Sequence, residues 1–236
     1  MSKFNGMAVM FASSGRFVPL DFAFSLASFQ YPVGMSSIYL KATGSDRGAQ
    51  RQALLERAIE IGAEYAIFLD DDTVCPAATM QQLHYVLANT PNAAICGGIY
   101  CTKTPIPMPI VFQEIGGGPF YDWTLGDIFE CKGLGTGCMM IRTSLVKDIP
   151  KPWFYEACEA PADEMVDLPG GKVNLAKRTG TDDLYFCQKV SDAGLKIMAH
   201  GGVLPVHMDQ DGKYYTLPPD CHPCKSFDEK QAALKS

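Results

Sequence analysis

Short apolar runs alternate with amphipathic stretches along the first two thirds of the chain. Ala8 to Phe11 is a short buried strand closed by the polar turn Ser13-Ser14-Gly15, and Ser36 to Leu40 reads as a second strand. Ser45 or Asp46 can cap a helix that runs to about Ile61, with Gly62 just past its end. Within it Leu54, Ala58 and Ile61 recur at spacings of four and three, and Leu55 and Ile59 add a pair at four, which gives one apolar face. Ala66 to Leu69 is a continuous apolar run, followed at once by Asp70-Asp71-Asp72-Thr73. Pro76 to Leu87 reads as the next helix and Ala93 to Gly98 as another strand.

The second half changes texture. Pro105 to Pro119 is rich in Pro and Gly, Phe120 to Cys131 predicts a hairpin, and Cys138 to Ile141 reads as a strand. Residues 150–180 form a long polar segment with little periodicity, carrying Trp153, Phe154 and Tyr155. Thr181 to Ala193 is a helix with Gly194 at its end, Val203 to Val206 is a last strand ending at His207, and residues 211–236 read as a polar tail. The βα alternation predicts an α/β fold: a mostly parallel central sheet flanked by helices. Ligands of such sheets bind outside the carboxyl ends of the strands, and Asp70 stands at one of them.

Composition narrows the reading. A length of 236 residues suits one domain, here residues 1–210, followed by the tail. Hydrophobic residues make up 47% and charged residues 19%, which argues against disorder. Lys and Arg number 20 against 26 Asp and Glu, so the net charge of −6 carries no nucleic-acid footprint. Nine cysteines fall well short of a disulfide scaffold. No apolar run reaches the ~18 residues of a membrane span, and no secretory signal is visible. The expectation is a cytoplasmic protein with reduced thiols.

The strongest chemical feature is the aspartate triplet after a buried strand. In extended geometry Asp70 and Asp72 point the same way, and two such charges about 6 Å apart repel by roughly 3 kcal/mol. A proton, a basic side chain or a divalent cation must offset that; a solvated acidic turn before the next helix is the simpler alternative. Asp182-Asp183 after Thr181 reads either as a favourable first helical turn or as a general base carried on a helix terminus. His207 is a candidate neutral ligand or a structural histidine. Cys221-His222-Pro223-Cys224 has the C-x-x-C spacing of zinc or redox sites but no second pair, and reads as structural or incidental. Neither a P-loop nor a dinucleotide fingerprint is present, and the G-x-S-x-G elbow of serine hydrolases is missing.

Four segments, in order, resemble the GT-A-fold glycosyltransferases, family 2 and its small bacterial and phage relatives. They are AIFLDDDT at 66–73, YCTKTPIPMPIVF at 100–112, GTGCMMIRTSLV at 135–146 and GTDDLYFCQKVSDAGLKIMAHGGVLPVH at 180–207. The resemblance spans about residues 5 to 207. It implies a GT-A nucleotide-diphospho-sugar transferase fold with a small antiparallel portion on the acceptor side. It implies that Asp70 faces the ribose or the metal, that Asp72 binds Mn2+ or Mg2+ bridging the donor diphosphate, and that His207 completes the metal shell. Asp183 takes the place of the family's catalytic base, and Asp182 stands where the family has Glu. Ala12, Ser13 and Ser14 would meet the nucleotide base, where the family commonly has Pro-Thr. Arg51 and Asp71 join the donor-binding set, and Lys103 and Gly137 would lie by the donor sugar.

The reaction so implied is inverting transfer from a nucleotide diphosphate sugar, such as a UDP- or GDP-sugar, to the hydroxyl of a glycan, protein or small molecule. Trp153 and Tyr155 offer flat surfaces for a sugar ring, or anchors for their loop. Two other readings share the acidic sheet edge. One is a nucleotidyltransferase that makes a nucleotide sugar, and the other is a nucleotide-sugar-binding protein without turnover.

Overall fold

In the computed structural model the described residues are 4, 6–13, 15, 17–44, 46–155, 165–168, 171–174 and 181–234. The first half holds β1 (Gly6–Ser13), α1 (Leu20–Ser28), β2 (Ser36–Thr43), α2 (Arg47–Glu60), β3 (Tyr65–Leu69), β4 (Thr73–Val74), α3 (Thr79–Asn89) and β5 (Ala93–Gly98). Then come β6 (Val111–Phe112), β7 (Ile128–Cys131), β8 (Gly133–Leu134), β9 (Cys138–Arg142), α4 (Thr143–Val146), β10 (Met165–Leu168) and β11 (Gly171–Asn174). The last elements are α5 (Asp182–Asp192), β12 (Lys196–His200), β13 (Val206–Met208), β14 (Tyr214–Tyr215) and α6 (His222–Ala233).

Seven strands form the central sheet in the order β2-β1-β3-β9-β5-β12-β7. β2, β1 and β3 pair in parallel, as do β5 and β12. β9 runs antiparallel between β3 and β5, and β7 runs antiparallel on the far edge beside β12. Five strands therefore share one direction. Their carboxyl ends, together with the amino end of β9, make one edge of the sheet.

Both faces are covered, so every residue of β3 is buried. Its side chains alternate: Ala66 and Phe68 pack with Leu54, Leu55 and Ala58 of α2 and Phe186 and Val190 of α5. Tyr65, Ile67 and Leu69 pack on the other face with Met80, Leu83 and Leu87 of α3. α2 is stopped at both ends as its sequence predicts. Asp46 accepts from the Ala49 N–H at 2.8 Å, and Gly62 takes the left-handed conformation, φ 82°, that ends the helix.

Several expectations give way. Residues 120–131 do not form a hairpin; β7 finds its partner far along the chain in β12, and the Trp123 indole N–H instead donates to the Phe120 carbonyl. The strand expected at Val203–Val206 is β13, Val206–Met208, with His207 inside it, and β12 precedes it. The stretch 211–234 is not a plain tail but carries β14 and α6. α1 has no counterpart in the pattern reading. Of the segment 150–180, residues 156–164, 169–170 and 175–180 lie outside the described residues, while β10 and β11 pair as an antiparallel hairpin. Trp153 is 1% exposed, and its indole N–H donates to the Ile149 carbonyl at 2.9 Å, so it is a core residue and not a sugar platform. Tyr155, half-buried, lies 5.9 Å from the Tyr185 ring.

Phe68 meets Phe154 edge-on at 5.4 Å in the middle of this core. Phe68→Ala should lose about 3–5 kcal/mol in a urea titration. A loss under about 1 kcal/mol would mean the two layers do not pack as described.

Candidate functional site

The chain does not stay extended after β3. The Thr73 N–H donates to the Asp70 carbonyl at 3.0 Å, and the resulting turn sends the three carboxylates to three partners. Asp70 accepts from Arg51 Nη2 at 3.1 Å, with Arg47 at 4.0 Å. Asp71, 2% exposed, accepts from the Ser13 hydroxyl at 2.6 Å across the end of β1. Asp72 takes the Lys103 ammonium at 2.8 Å and faces His207 Nε2 at 3.4 Å. The parallel alignment expected of Asp70 and Asp72 is therefore not found. The turn separates their charges, and basic side chains offset them.

Backbone pairing brings His207 to this point. β13 lies antiparallel to β4 with His207 opposite Thr73, and the Met208 N–H donates to the Asp72 carbonyl at 2.8 Å. The His207 Nδ1 lies 2.8 Å from the Cys101 carbonyl, which can only accept. Nδ1 therefore carries the proton, and in the neutral ring the Nε2 lone pair is aimed at the Asp72 carboxylate. A lone pair and a carboxylate this close repel unless a proton or a cation lies between them. The ring also sits edge-on to Tyr100 at 5.0 Å.

Lys103 is held by two carboxylates and a backbone carbonyl. Its ammonium reaches the Met208 carbonyl at 2.7 Å and the Asp209 carboxylate at 3.5 Å as well as Asp72. Burial alone would raise the Asp72 carboxyl, but the Lys103 ammonium and the His207 ring in its doubly protonated form outweigh it and hold it well below the usual carboxylate range.

Gly137 forms the floor at the amino end of β9. Its N–H donates to the Tyr100 hydroxyl at 2.9 Å, and a Cβ there would stand 2.7 Å from the Tyr100 ring. Beside it the buried Thr73 hydroxyl finds no partner among the described residues.

α5 begins where Arg51 bridges Asp70 and Asp182. Arg51 sits on the buried face of α2, in register with Leu54, Leu55 and Ala58, and one guanidinium nitrogen contacts both Asp182 oxygens at 2.6 and 2.7 Å. Desolvation works against the Arg51 charge, and Asp70, Asp182 and Asp183 together more than offset it. Both Asp182 oxygens are thus engaged by Arg51. The neighbouring Asp183 accepts from the Leu184 N–H at 2.8 Å, and burial pushes its carboxyl above the ordinary value even though Arg51 pulls it down. Thr181 occupies the N-cap position without a side-chain capping bond.

A cavity of about 310 Å³ opens at the carboxyl ends of β1 and β2, walled by Phe11 and Phe22 and floored by Ser13, Lys41, Thr43 and Asp71. Ala12 is 2% exposed and packs into the core beneath it. Ser14 lies outside the described residues. Of the three expected metal ligands, Asp72 and His207 meet, while Asp70 turns an oxygen to Arg51. Among the described residues no group of three or more His, Cys, Asp or Glu side chains is arranged to hold a metal ion. No helix among them is long and apolar enough to cross a membrane.

Pattern reading alone gave no reason to single out Tyr100, the Cys101 carbonyl or Asp209. Arg51 does carry a signal of its own, because a charge three and four residues before Leu54 and Leu55 on an apolar helix face needs a buried counter-charge.

No protein-family model and no curated protein sequence matches the chain. In structure it is similar to A197 from STIV, with 90% of this chain and 94% of that one aligned at a TM-score of 0.60 and 17% identity. It is also similar to GalNAc-T7 solved with UDP, GalNAc and Mn2+, with 92% of this chain and 45% of that one aligned at a TM-score of 0.51 and 8% identity. The fold is GT-A, as the ordered motifs imply.

Removing one partner of a buried ion pair strands the other charge. Arg51→Met should therefore cost about 3–5 kcal/mol in chemical denaturation, and adding Asp182→Leu should restore a large part of the loss. Equal stability of Arg51→Met and the unsubstituted protein would contradict the clamp.

Proposed function

We propose that this chain is a metal-dependent glycosyltransferase that takes a sugar from a nucleoside-diphosphate sugar and passes it, with inversion, to an acceptor hydroxyl. The observation that carries the reading is the meeting of Asp72 with His207 Nε2 on the carboxyl edge of a GT-A sheet, with Asp183 in the first turn of α5, which Arg51 ties through Asp182 to Asp70 at the same edge. GalNAc-T7, on a similar fold, is solved with UDP, GalNAc and Mn2+, which makes a nucleotide sugar and a divalent cation the first ligands to test.

Asp72 and His207 suit Mn2+ or Mg2+ as a carboxylate oxygen and an imidazole nitrogen aimed at one point, with diphosphate oxygens and water as the customary remaining ligands. Such an ion, when bound, neutralises charge on the departing diphosphate. Lys103 adds a fixed positive charge at the same place. Ser13 and Asp71 line the cavity that would take the nucleoside, and Gly137 keeps the floor clear of a side chain for the donor sugar.

Asp183 receives the acceptor proton. Its raised carboxyl makes it a stronger base than an exposed aspartate. Arg51 acts as a positioning residue: by gripping Asp182 and Asp70 it fixes the first turn of α5 relative to the end of β3, and so aims Asp183.

The Lys103 ammonium on Asp72 favours a second reading, a nucleotide-sugar-binding protein without turnover. Release of a nucleoside diphosphate from a donor panel separates the two.

By calorimetry, Mn2+ should tighten UDP or GDP binding at least about tenfold, a gain of about 1.4 kcal/mol. Asp72→Asn should abolish that gain while its circular dichroism stays unchanged. An undiminished gain in the variant would remove Asp72 from the account. Asp183→Asn should keep the binding and lose transfer by about 10²–10⁴-fold. The base works deprotonated, so the wild-type rate should climb with pH through a midpoint above the usual aspartate value of about 3.9. A rate flat between pH 4 and 7 would rule Asp183 out as the base.

A further inference from the structure

The fold and the proposed transfer use neither of the two thiols at the start of α6. Cys221 is the N-cap of this helix and Cys224 its third residue, and the two sulfurs lie 3.6 Å apart. Pro223 fixes the first turn between them. The other described cysteines, Cys75, Cys96, Cys101, Cys131, Cys138 and Cys187, are all buried, whereas Cys221 and Cys224 both keep access to solvent. This is therefore the pair of described thiols that a dissolved reagent can reach.

We propose that Cys221 and Cys224 form a thiol–disulfide exchange site whose substrate is a small aliphatic disulfide of the glutathione type. Burial and the neighbouring Cys221 push the Cys224 thiol up to about 11, which leaves Cys221 as the attacking sulfur and Cys224 as the resolving one. In the first step the Cys221 thiolate attacks one sulfur of the disulfide, forming a mixed disulfide and expelling one thiolate. In the second, Cys224 loses its proton and attacks the Cys221 sulfur, so the protein disulfide closes and a second small thiol departs. Two protein thiols are oxidised to one disulfide and one small disulfide is reduced to two thiols, with the two protein protons ending on the released thiols. Closure moves the two sulfurs from 3.6 Å to about 2 Å, and cysteines three apart in a first helical turn can close that gap.

The pair also borders the rest of the molecule at one defined point. Cys224 and the buried Cys101 line one cavity of about 200 Å³ behind β13.

The test uses the full chain with Cys158→Ser, at the cysteine outside the described residues, in every sample, incubated with oxidised glutathione, alkylated, digested and read by mass spectrometry. The expected result is the loss of two alkylatable thiols per chain, both on the peptide holding Cys221 and Cys224, with no glutathione retained and the buried cysteines still alkylated after unfolding. Cys224→Ser should stop at the first step and carry one glutathione on Cys221. Cys221→Ser should react at least about tenfold more slowly. A pair that stays fully reduced while the folded protein is intact would overturn the proposal. So would a Cys224→Ser variant that gains no adduct under the conditions that oxidise the parent.

Discussion

A guanidinium with almost no access to water sets the geometry of the sheet edge. Arg51 comes from α2, Asp70 from the end of β3 and Asp182 from the first turn of α5, so one group ties three elements that are far apart in sequence. A buried ion pair adds little net stability over a well-packed apolar contact, but breaking one is costly. The clamp therefore acts mainly on geometry. It penalises any arrangement in which α5 begins elsewhere, and with α5 goes Asp183.

The aspartate triplet follows the same logic. Three adjacent carboxylates at the end of a buried strand cannot share one direction, and the turn at Asp70–Thr73 separates them. Arg51 takes one, Ser13 another, and Lys103 with His207 the third. Each partner sits on a different element, so the charge pattern of three residues fixes how α2, β1, the loop after β5 and β13 converge. Only at Asp72 do a carboxylate and an imidazole lone pair face each other, and there a positive charge is required.

Much of this was legible in the order of residues. Continuous apolar runs marked β1, β3, β5 and β9, because strands covered on both faces need no polar positions. Leu54, Ala58 and their neighbours marked α2, and the motif order implied the GT-A fold. What stayed hidden depends on distant contacts. β7 reads as half of a hairpin until β12 is there to pair with it. β12, Lys196–His200, follows the end of α5 so closely that its short apolar run merges with the helix. α1 begins at Leu20 after Pro19, without a Ser, Thr or Asp cap, and it leaves Leu20 and Phe24 exposed, so its apolar positions mark no face. In the site, the carboxylates and His207 stood out by residue type. The separate partners of Asp70, Asp71 and Asp72 did not, because a turn of four residues overrode the alternation that a strand would have imposed.

The central claim is that Asp72 and His207 together hold a divalent cation against a nucleoside diphosphate. Crystals grown with Mn2+ and UDP or GDP, measured for the anomalous signal of manganese, test it directly. The account predicts one strong peak in coordinating contact with an Asp72 oxygen, His207 Nε2 and the diphosphate. A nucleotide bound with no such peak, or a manganese ion seated away from both side chains, would contradict it.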